Sequence, residues 1–362
     1  MPENRIETIR SSTKWSLAAI RYALKGRLSQ ASPRTLESLA VKTWEIAPSE
    51  TSISPPAYFL PNQLERVTGW EFSDEHPRLA MAGERTLHKA TRGFLLKDVW
   101  LIDGALYKGD AKSWLTPRQS RLPRVRVECE IDRGAVYCTP MGNKYFGQWL
   151  MDDCVTYPMA SAEGIPVTTA QPVNMHTPMY EDLFGMKPLR VQNAFFRELV
   201  IFDDFGQNRH KQQRFRCMSD RLLSHVKPSP HPGVMILRGG TGELRLLHNE
   251  IELAEYLRDR RGFRILDPSR CDVQTIVSTC AGARTVIGVE GSGLMHGILL
   301  LQAGRSILTL QPPNRFVRVY KDLADRDNQH FGFVVGQPES GGFRIDPDEV
   351  ERTLDLFPES PD

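Results

Sequence analysis

The chain has 362 residues, of which 40% are hydrophobic and 25% charged, a composition typical of a globular protein with a sizeable core. Its formal net charge of +2 is too small to indicate nucleic-acid binding, and no apolar run approaches the roughly 20 residues that span a bilayer. The six cysteines stand singly, so neither a zinc site nor a disulfide framework is predicted. We therefore expect a cytoplasmic protein that uses neither nucleic acid nor metal.

The first predicted element is an amphipathic helix within an N-terminal segment, residues 1–46. Its apolar positions follow helical spacing at Leu17, Ile20, Leu24 and Leu28, with basic residues among them. Two interpretations stay open. The helix either packs on the body of the protein or draws the chain to anionic lipid, as a peripheral helix at the inner face of the membrane.

Residues 47–230 are predicted to form an N-terminal domain that begins with β-structure. Short apolar stretches broken by turn dipeptides between about 90 and 140 indicate a β-meander or hairpins. Three prolines then fall within residues 227–233 and interrupt any regular element, which places a domain boundary near residue 230.

Residues 231–340 alternate strands and helices, the pattern of a Rossmann-like domain with a parallel sheet. The predicted strands are 234–238, 263–266, 285–289, 306–310 and 331–335. The predicted helices are 249–262, one that follows Pro268, and one at about 293–301. A last helix, capped by Asp346, occupies the C-terminal segment 341–362.

The strand at 285–289 runs into a glycine-rich corner that also carries a carboxylate. Gly291 and Gly293 stand where a parallel strand ends and a helix begins, which is where open sheets bind ligands. Their spacing is not the G-x-G-x-x-G fingerprint, so an NAD site is disfavoured. Glu290 would repel a phosphate but accepts hydrogen bonds from hydroxyls. The corner therefore predicts a ligand with sugar hydroxyls beside a diphosphate, with close packing or a positive φ as the alternative reason for the glycines.

Other residues are predicted at the same edge of the sheet. Arg238 ends a strand, and its planar fork suits phosphate oxygens, although a surface arginine is the alternative. His296 could donate to a phosphate or a hydroxyl, or simply pack in an apolar helix. Helix capping explains Asn249 in part, and a buried amide bond to backbone would explain Gln274. The glycines at 239–242 either close over the ligand or only form a loop.

The ordered set of these pieces resembles glycosyltransferase family 61. Over roughly residues 140–340 the resemblance rests on Arg238, "NE" at 249–250, "GF" at 262–263, Gln274, "VIGVEGSGLMH", "LQAGRSILTLQPP" and the upstream "GNKYFGQWLMDD" at 142–153. It implies an α/β protein of the GT-B type, with two Rossmann-like domains facing a cleft. It also implies a nucleotide-sugar donor, here predicted to be UDP-linked, inversion at the anomeric carbon and no divalent metal. The first 140 residues are interpreted from their own pattern.

The resemblance distributes the candidate residues over two sites. The predicted donor-binding residues are Arg238, Asn249, Gln274, Glu290, Gly291, Ser292, Gly293 and His296. The predicted acceptor-binding residues are Tyr145, Gln148 and Trp149. Asp152 and Asp153 are the candidates for the base that an inverting displacement requires, with helix capping as the alternative. Consecutive helical residues point about 100° apart, so one of the two is expected to face the cleft.

The predicted function is transfer of a sugar to a growing polysaccharide, such as a capsule, or to a related glycan or lipid-linked saccharide. Many family members have a histidine before the tryptophan where this chain has Gln148, and a glutamine cannot act as a base near neutral pH. This difference motivates the alternative hypothesis of a catalytically inactive glycan-binding or scaffold protein built on a GT-B body.

Overall fold

The computed structural model describes residues 9–28, 32, 34–71, 75–117, 125–239 and 245–359. Residues 1–8 of the predicted N-terminal segment and residues 240–242 of the predicted glycine loop lie outside this part. The chain divides into two compact units, Met1–Ser49 with Ala90–Gly206 and Glu50–Lys89 with Gln207–Asp362. Each unit is assembled from two stretches of chain, whereas the domains predicted from the sequence are continuous segments.

The secondary-structure elements are numbered in chain order. The strands are β1 Ile9–Ser11, β2 Trp15–Ser16, β3 Lys42–Ala47, β4 Glu50–Ile53, β5 Arg85–His88, β6 Thr91–Ile102, β7 Ala105–Lys108, β8 Ala111–Trp114, β9 Val125–Arg126, β10 Cys129–Val136, β11 Ile165–Thr169, β12 Leu189–Val191, β13 Asn193–Asp203, β14 His231–Ile236, β15 Arg264–Leu266, β16 Ala283–Val289, β17 Ser306–Gln311, β18 His330–Val335, β19 Gln337–Glu339 and β20 Gly342–Arg344. The helices are α1 Ala18–Leu28, α2 Glu75–Ala82, α3 Pro140–Lys144, α4 Phe146–Gln148, α5 Cys154–Glu163, α6 Thr177–Phe184, α7 Arg209–Leu223, α8 Glu250–Arg261, α9 Val273–Cys280, α10 Met295–Ile298, α11 Val319–Asp327 and α12 Pro347–Leu354.

The first unit is built on a mixed sheet. Its strands run in the order β12-β11-β10-β13-β6-β7-β8, and β12, β11, β10 and β13 are mutually parallel. The antiparallel run β6-β7-β8 is the meander predicted for this region. The meander prediction was wrong for β10, because this strand is flanked on both sides by parallel partners reached through helical crossovers.

The predicted N-terminal helix is α1, and it packs on the first unit. Ala18, Ala19 and Tyr22 lie against a small core that includes Ile102 and Tyr107. Leu17 and Leu24, two of the predicted apolar positions, are exposed, so the described contact is made by small side chains and an aromatic ring. The packed interpretation is therefore confirmed, and attraction to a membrane stays a prediction. No helix in the described ranges has the length and apolar character needed to cross a bilayer.

The second unit contains a fully parallel sheet in the order β15-β14-β16-β17-β18. It confirms the parallel α/β domain predicted from the strand and helix pattern. Two predicted helix ends are confirmed. Gly262 ends α8 in the left-handed region at φ 69°, and the Asp346 side chain accepts the N–H of Asp348 at the start of α12. The sheet buries apolar side chains such as Met235, Ile287 and Leu308 in its core.

Two helices of the second unit differ from the prediction. The chain after the glycine corner forms a 3₁₀ turn, Ser292–Leu294, and then only the short α10, where a single helix to about residue 301 was predicted. Helix α11 was not predicted, because its charged sequence masks the spacing of its buried Tyr320, Leu323 and Ala324. Its end at Asn328, in the left-handed region at φ 55°, is the local signal that could have revealed it.

Candidate functional site

The carboxyl ends of β14 and β16 form the crevice of the second unit's sheet. From β14 the chain moves to β15 on one side and later to β16 on the other, so the strand order reverses between these neighbours. Open α/β sheets bind ligands at such a switch point. Arg238 follows β14 and Glu290 follows β16, so two of the predicted donor-site residues meet here.

The guanidinium of Arg238 is held across this crevice. Its Nη1 donates a hydrogen bond of 2.7 Å to the backbone carbonyl of Glu290. The carboxylate of Glu250, the first residue of α8, accepts the backbone N–H groups of Arg238 and Gly239 at 2.7 and 2.9 Å. Burial lowers the pKa of Arg238, with a further contribution from the charge of Arg245, but an arginine remains protonated at any physiological pH. Arg238 is thus a positioned cation at the ligand edge of the sheet.

Position 291 requires a glycine because Arg238 packs directly against its backbone. A Cβ on Gly291 would stand 1.6 Å from Nη1 of Arg238, and the backbone φ of 154° also disfavours other residues. Close approach therefore explains this glycine. Gly293 is different, because no described atom lies within 4 Å of the place where its Cβ would stand. Ser292 and Gly293 are half-buried in the 3₁₀ turn.

Tyr320 of α11 holds the glycine corner through two hydrogen bonds to the backbone of Gly291. The N–H of Gly291 donates to the Tyr320 hydroxyl at 2.5 Å, and that hydroxyl donates to the carbonyl of Gly291 at 3.1 Å. Tyr320 is buried, and burial raises its pKa well above the usual range, so the hydroxyl keeps its proton. The N–H of Gly291, predicted to face a diphosphate, is therefore already used within the protein.

Glu290 is buried and paired with an arginine that sequence reasoning missed. Nε of Arg245 lies 2.6 Å from Oε1 of Glu290. Burial raises the pKa of Glu290, while the charges of Arg245, Arg315 and Arg238 act in the opposite direction. Arg315 in turn forms a 2.6 Å ion pair with Glu71. Glu290 therefore places a negative charge among three arginines at the crevice, in addition to the predicted hydrogen bonds from ligand hydroxyls.

The other predicted donor residues have varied surroundings. The amide of Asn249 is buried, donating to the carbonyl of Ile345 at 2.8 Å and accepting its N–H at 3.2 Å, so both polar groups of the amide serve a backbone contact. Gln274 is exposed on α9, which excludes the buried amide bond considered for it. His296 is buried in α10, two residues beyond the 3₁₀ turn.

The first unit has a cavity of about 280 Å³ at the carboxyl ends of β10, β11 and β12. Its lining residues come from these strand ends and from the two segments that follow β10 and β11: Tyr137, Gly142, Asn143, Lys144, Phe146, Trp149, Thr168, Thr169, Gln171, Pro172, Val173, Asn174, Thr177 and Arg190. We call it the first-unit pocket. Polar groups beside aromatic rings are typical of sites that bind sugars.

The predicted acceptor residues lie in and near this pocket. Trp149 lines it beside Phe146, with the two ring centroids 5.6 Å apart. Tyr145 and Gln148 are half-buried neighbours in the chain and are not among its lining residues. Asn143 is fixed by two hydrogen bonds, donating to the carbonyl of Leu115 at 3.0 Å and accepting from Thr169 at 2.9 Å. The structure thus brings Trp149 to the pocket together with residues that sequence reasoning did not select.

The two candidate carboxylates have different surroundings. Both lie in a π-helical turn, Trp149–Asp153, a feature that is often found at functional sites. Asp153 is fully buried, and its carboxylate accepts the backbone N–H of Thr139 at 3.2 Å and the Thr139 hydroxyl at 2.9 Å. A Cβ on Gly142 would stand 1.9 Å from Oδ2 of Asp153, so the carboxylate fills the space that this glycine leaves. Asp152 is half-buried.

Among the residues with described positions, no group of three or more His, Cys, Asp or Glu side chains could hold a metal ion.

A scan against protein families matches Glycosyltransferase 61 over residues 77–308. The match begins at residue 77, upstream of the roughly 140–340 over which the resemblance was seen in the sequence. It contains the first-unit pocket, Asp152, Arg238 and the glycine corner, and it ends before α11. A search of curated proteins finds no match. Because the family match covers more than half of the chain, the protein belongs to the Glycosyltransferase 61 family.

Proposed function

We propose that the protein is an inverting glycosyltransferase that moves a sugar from a UDP-linked donor to a glycan or lipid-linked saccharide acceptor. Family membership supports glycosyltransferase activity. The observation that carries the finer proposal is the Arg238 guanidinium, held at the switch point of the second unit's parallel sheet against Gly291. The GT-B architecture and the independence from divalent metal, both implied by the family, are part of the same proposal.

The donor diphosphate would bind at the second unit's crevice. Arg238 supplies guanidinium N–H groups in a fork that matches phosphate oxygens, and Ser292 and Gly293 add backbone N–H groups. Glu250 and the carbonyl of Glu290 fix the position of Arg238 before the donor arrives. Such preorganised charge is most effective when it meets the negative charge that develops on the leaving diphosphate.

In the proposed reaction an acceptor hydroxyl attacks the anomeric carbon from the face opposite the diphosphate. The new bond joins the acceptor oxygen to the anomeric carbon, and the bond from that carbon to the diphosphate oxygen breaks. The hydroxyl proton passes to a carboxylate base, and Asp152 takes this role in the proposal because Asp153 is engaged with Thr139. The electron pair of the broken bond leaves with the diphosphate, whose charge Arg238 stabilises.

The test is a panel of nucleotide sugars with the purified full-length protein. We expect UDP or a UDP-sugar to raise the melting temperature, and slow donor hydrolysis to release UDP at the same rate in EDTA and in Mg²⁺. If no nucleotide at millimolar concentration shifts the melting temperature, the proposal fails. Binding of saccharides without nucleotide binding would favour the inactive glycan-binding alternative, which Gln148 motivates.

Glu290→Gln should weaken donor binding far more than it weakens folding. Glutamine keeps the size of the side chain but loses the charge that faces Arg245 at 2.6 Å. Loss of the ion pair with Arg245 is expected to raise the Kd for UDP about tenfold, because Arg245 is then no longer held by a charge at the crevice. Isothermal titration calorimetry measures this, and Glu255→Gln on the exposed face of α8 is the matched control.

The stability of the wild type, relative to Glu290→Gln, should also depend on pH in a defined direction. Burial raises the pKa of Glu290 above its ordinary value of 4.5, so this residue stabilises the fold below that pH and loses its contribution as the pH rises through the folded-state pKa. The melting temperature of the wild type, relative to the variant, should therefore fall as the pH rises above the ordinary glutamate value of 4.5. Equal losses of folding and UDP binding at pH 7.5 would return Glu290 to a purely structural role.

A further inference from the structure

The first-unit pocket is lined by two basic residues and by no described acidic residue. Lys144 and Arg190 both line it, and none of the described residues that line it is Asp or Glu. Its remaining polar groups are hydroxyls and amides, which can bind sugar hydroxyls. A pocket made only to stack a neutral sugar has no need of two cations.

An ion pair orients the Arg190 guanidinium, and part of the Arg190 side chain stays exposed. Its Nη2 donates to Oε1 of Glu181 at 2.5 Å, and Glu181 is buried on α6. The Arg190 side chain keeps 31% of its surface exposed, whereas that of Glu181 keeps 11%. A guanidinium has five N–H donors in a planar fork, so the pairing with Glu181 orients Arg190 and leaves donors on its exposed side.

Tyr137 supplies an independent observation that points to a ligand. It follows β10 and lines the pocket, yet it is only 2% exposed, and its hydroxyl has no hydrogen-bond partner among the described residues. A buried hydroxyl without a partner is costly, and proteins keep such groups where something outside the chain satisfies them. Burial raises the pKa of Tyr137, so its hydroxyl retains the proton that it could donate.

We propose that the first-unit pocket recognises the carboxylate of an acidic sugar, of the uronic acid type, in the acceptor. Lys144 and Arg190 bind the carboxylate, the Tyr137 hydroxyl donates to an oxygen of the same sugar, and the ring lies against Trp149 and Phe146. A planar carboxylate matches the fork of Arg190. This inference rests on the proposed function, because it names the class of acceptor for that reaction.

The test compares ligands that differ only in charge, using the full-length protein and saturation-transfer NMR or calorimetry. The probes are methyl glucuronoside, its neutral methyl ester, methyl glucoside and glucose 6-phosphate. We expect the glucuronoside to bind about tenfold more tightly than the ester or the glucoside, and the preference to shrink at high salt. A phosphate is the other source of negative charge, and a stronger response to glucose 6-phosphate would overturn the carboxylate assignment.

Variants connect the preference to the named residues. Lys144→Gln changes an exposed side chain and should reduce the acid preference severalfold, as should Arg190→Gln. Tyr137→Phe should weaken binding of the acidic sugar while retaining or raising the melting temperature, because it removes a buried hydroxyl without a partner. Lys187→Gln, an exposed lysine outside the pocket lining, is the matched control. Equal binding of the glucuronoside and its ester, or a preference that survives Lys144→Gln and Arg190→Gln, would overturn the proposal.

The two proposals fail in different ways. A protein that binds UDP but treats acidic and neutral sugars alike would keep the proposed function and lose this inference. A protein that prefers the acidic sugar in the pocket but binds no nucleotide would keep the carboxylate site and lose the proposed function.

Discussion

Arg238→Met is expected to raise the dissociation constant for UDP roughly a hundredfold while the protein stays folded. In the proposed complex this side chain donates two charge-assisted hydrogen bonds to the diphosphate, worth together about 3 kcal/mol. Methionine keeps much of the apolar stem, and the backbone N–H of residue 238 still reaches Glu250. Isothermal titration calorimetry gives the affinity, and a thermal melt shows that the fold persists.

Two further variants separate the position of Arg238 from its charge. Gly291→Ala retains the arginine but places a methyl group 1.6 Å from the Nη1 position, so the guanidinium must move and UDP binding should fall by a similar factor. Arg270→Met removes an arginine whose side chain is 84% exposed and should leave the affinity unchanged. If Arg238→Met binds UDP as well as the wild type does, the diphosphate is not held at this crevice.

Asp152→Asn is expected to lose turnover, whereas Asp153→Asn is expected to lose stability. Asp152 is half-buried, so its amide variant should fold normally and lose about 10²–10⁴ in kcat, the usual contribution of a general base. Asp153→Asn should instead lower the free energy of unfolding by roughly 2–4 kcal/mol. An amide nitrogen there would oppose the N–H and hydroxyl of Thr139, and the site is fully buried.

The measurements are kcat with saturating donor and acceptor, together with chemical denaturation of each variant. Asp182→Asn, on an exposed position of α6, controls for the removal of a surface carboxylate from the same unit. Full turnover by Asp152→Asn would move the base to another residue. A loss of turnover in Asp153→Asn at unchanged stability would assign the catalytic role to the buried carboxylate instead.

The order of strands and helices in the second unit could be predicted because each element carries a local signal. Apolar runs mark β14 and β16, Gly262 stops α8, and Asp346 begins α12. Helix α11 lacked such a signal, since its charged residues hide a buried face. The antiparallel meander was predictable from its turns, but the parallel pairing of β10 depends on partners that are distant in sequence.

Of the candidate site, only the residues that follow strand ends could be predicted from the sequence. The position of Arg238 and of the glycine corner at this edge could be predicted because the carboxyl edge of a parallel sheet follows from strand order. Arg245 and Tyr320 were missed because their contacts with residues 290 and 291 join separate elements, and no spacing rule relates them. The difference between Asp152 and Asp153 likewise depends on how one turn meets Thr139.

The hydrogen bonds between Tyr320 and Gly291 limit how far this protein can be shortened from its C-terminus. The family match stops at residue 308, so a fragment trimmed to that limit would retain Gly291 and Gly293 of the glycine corner. It would lose α11, and with it the only side chain, among those with described hydrogen bonds, that both receives the N–H of Gly291 and donates to its carbonyl. The limits of the family match therefore exclude a helix that holds the glycine corner in place. An expressed fragment should extend past residue 335, so that it includes α11 and the strand that follows it.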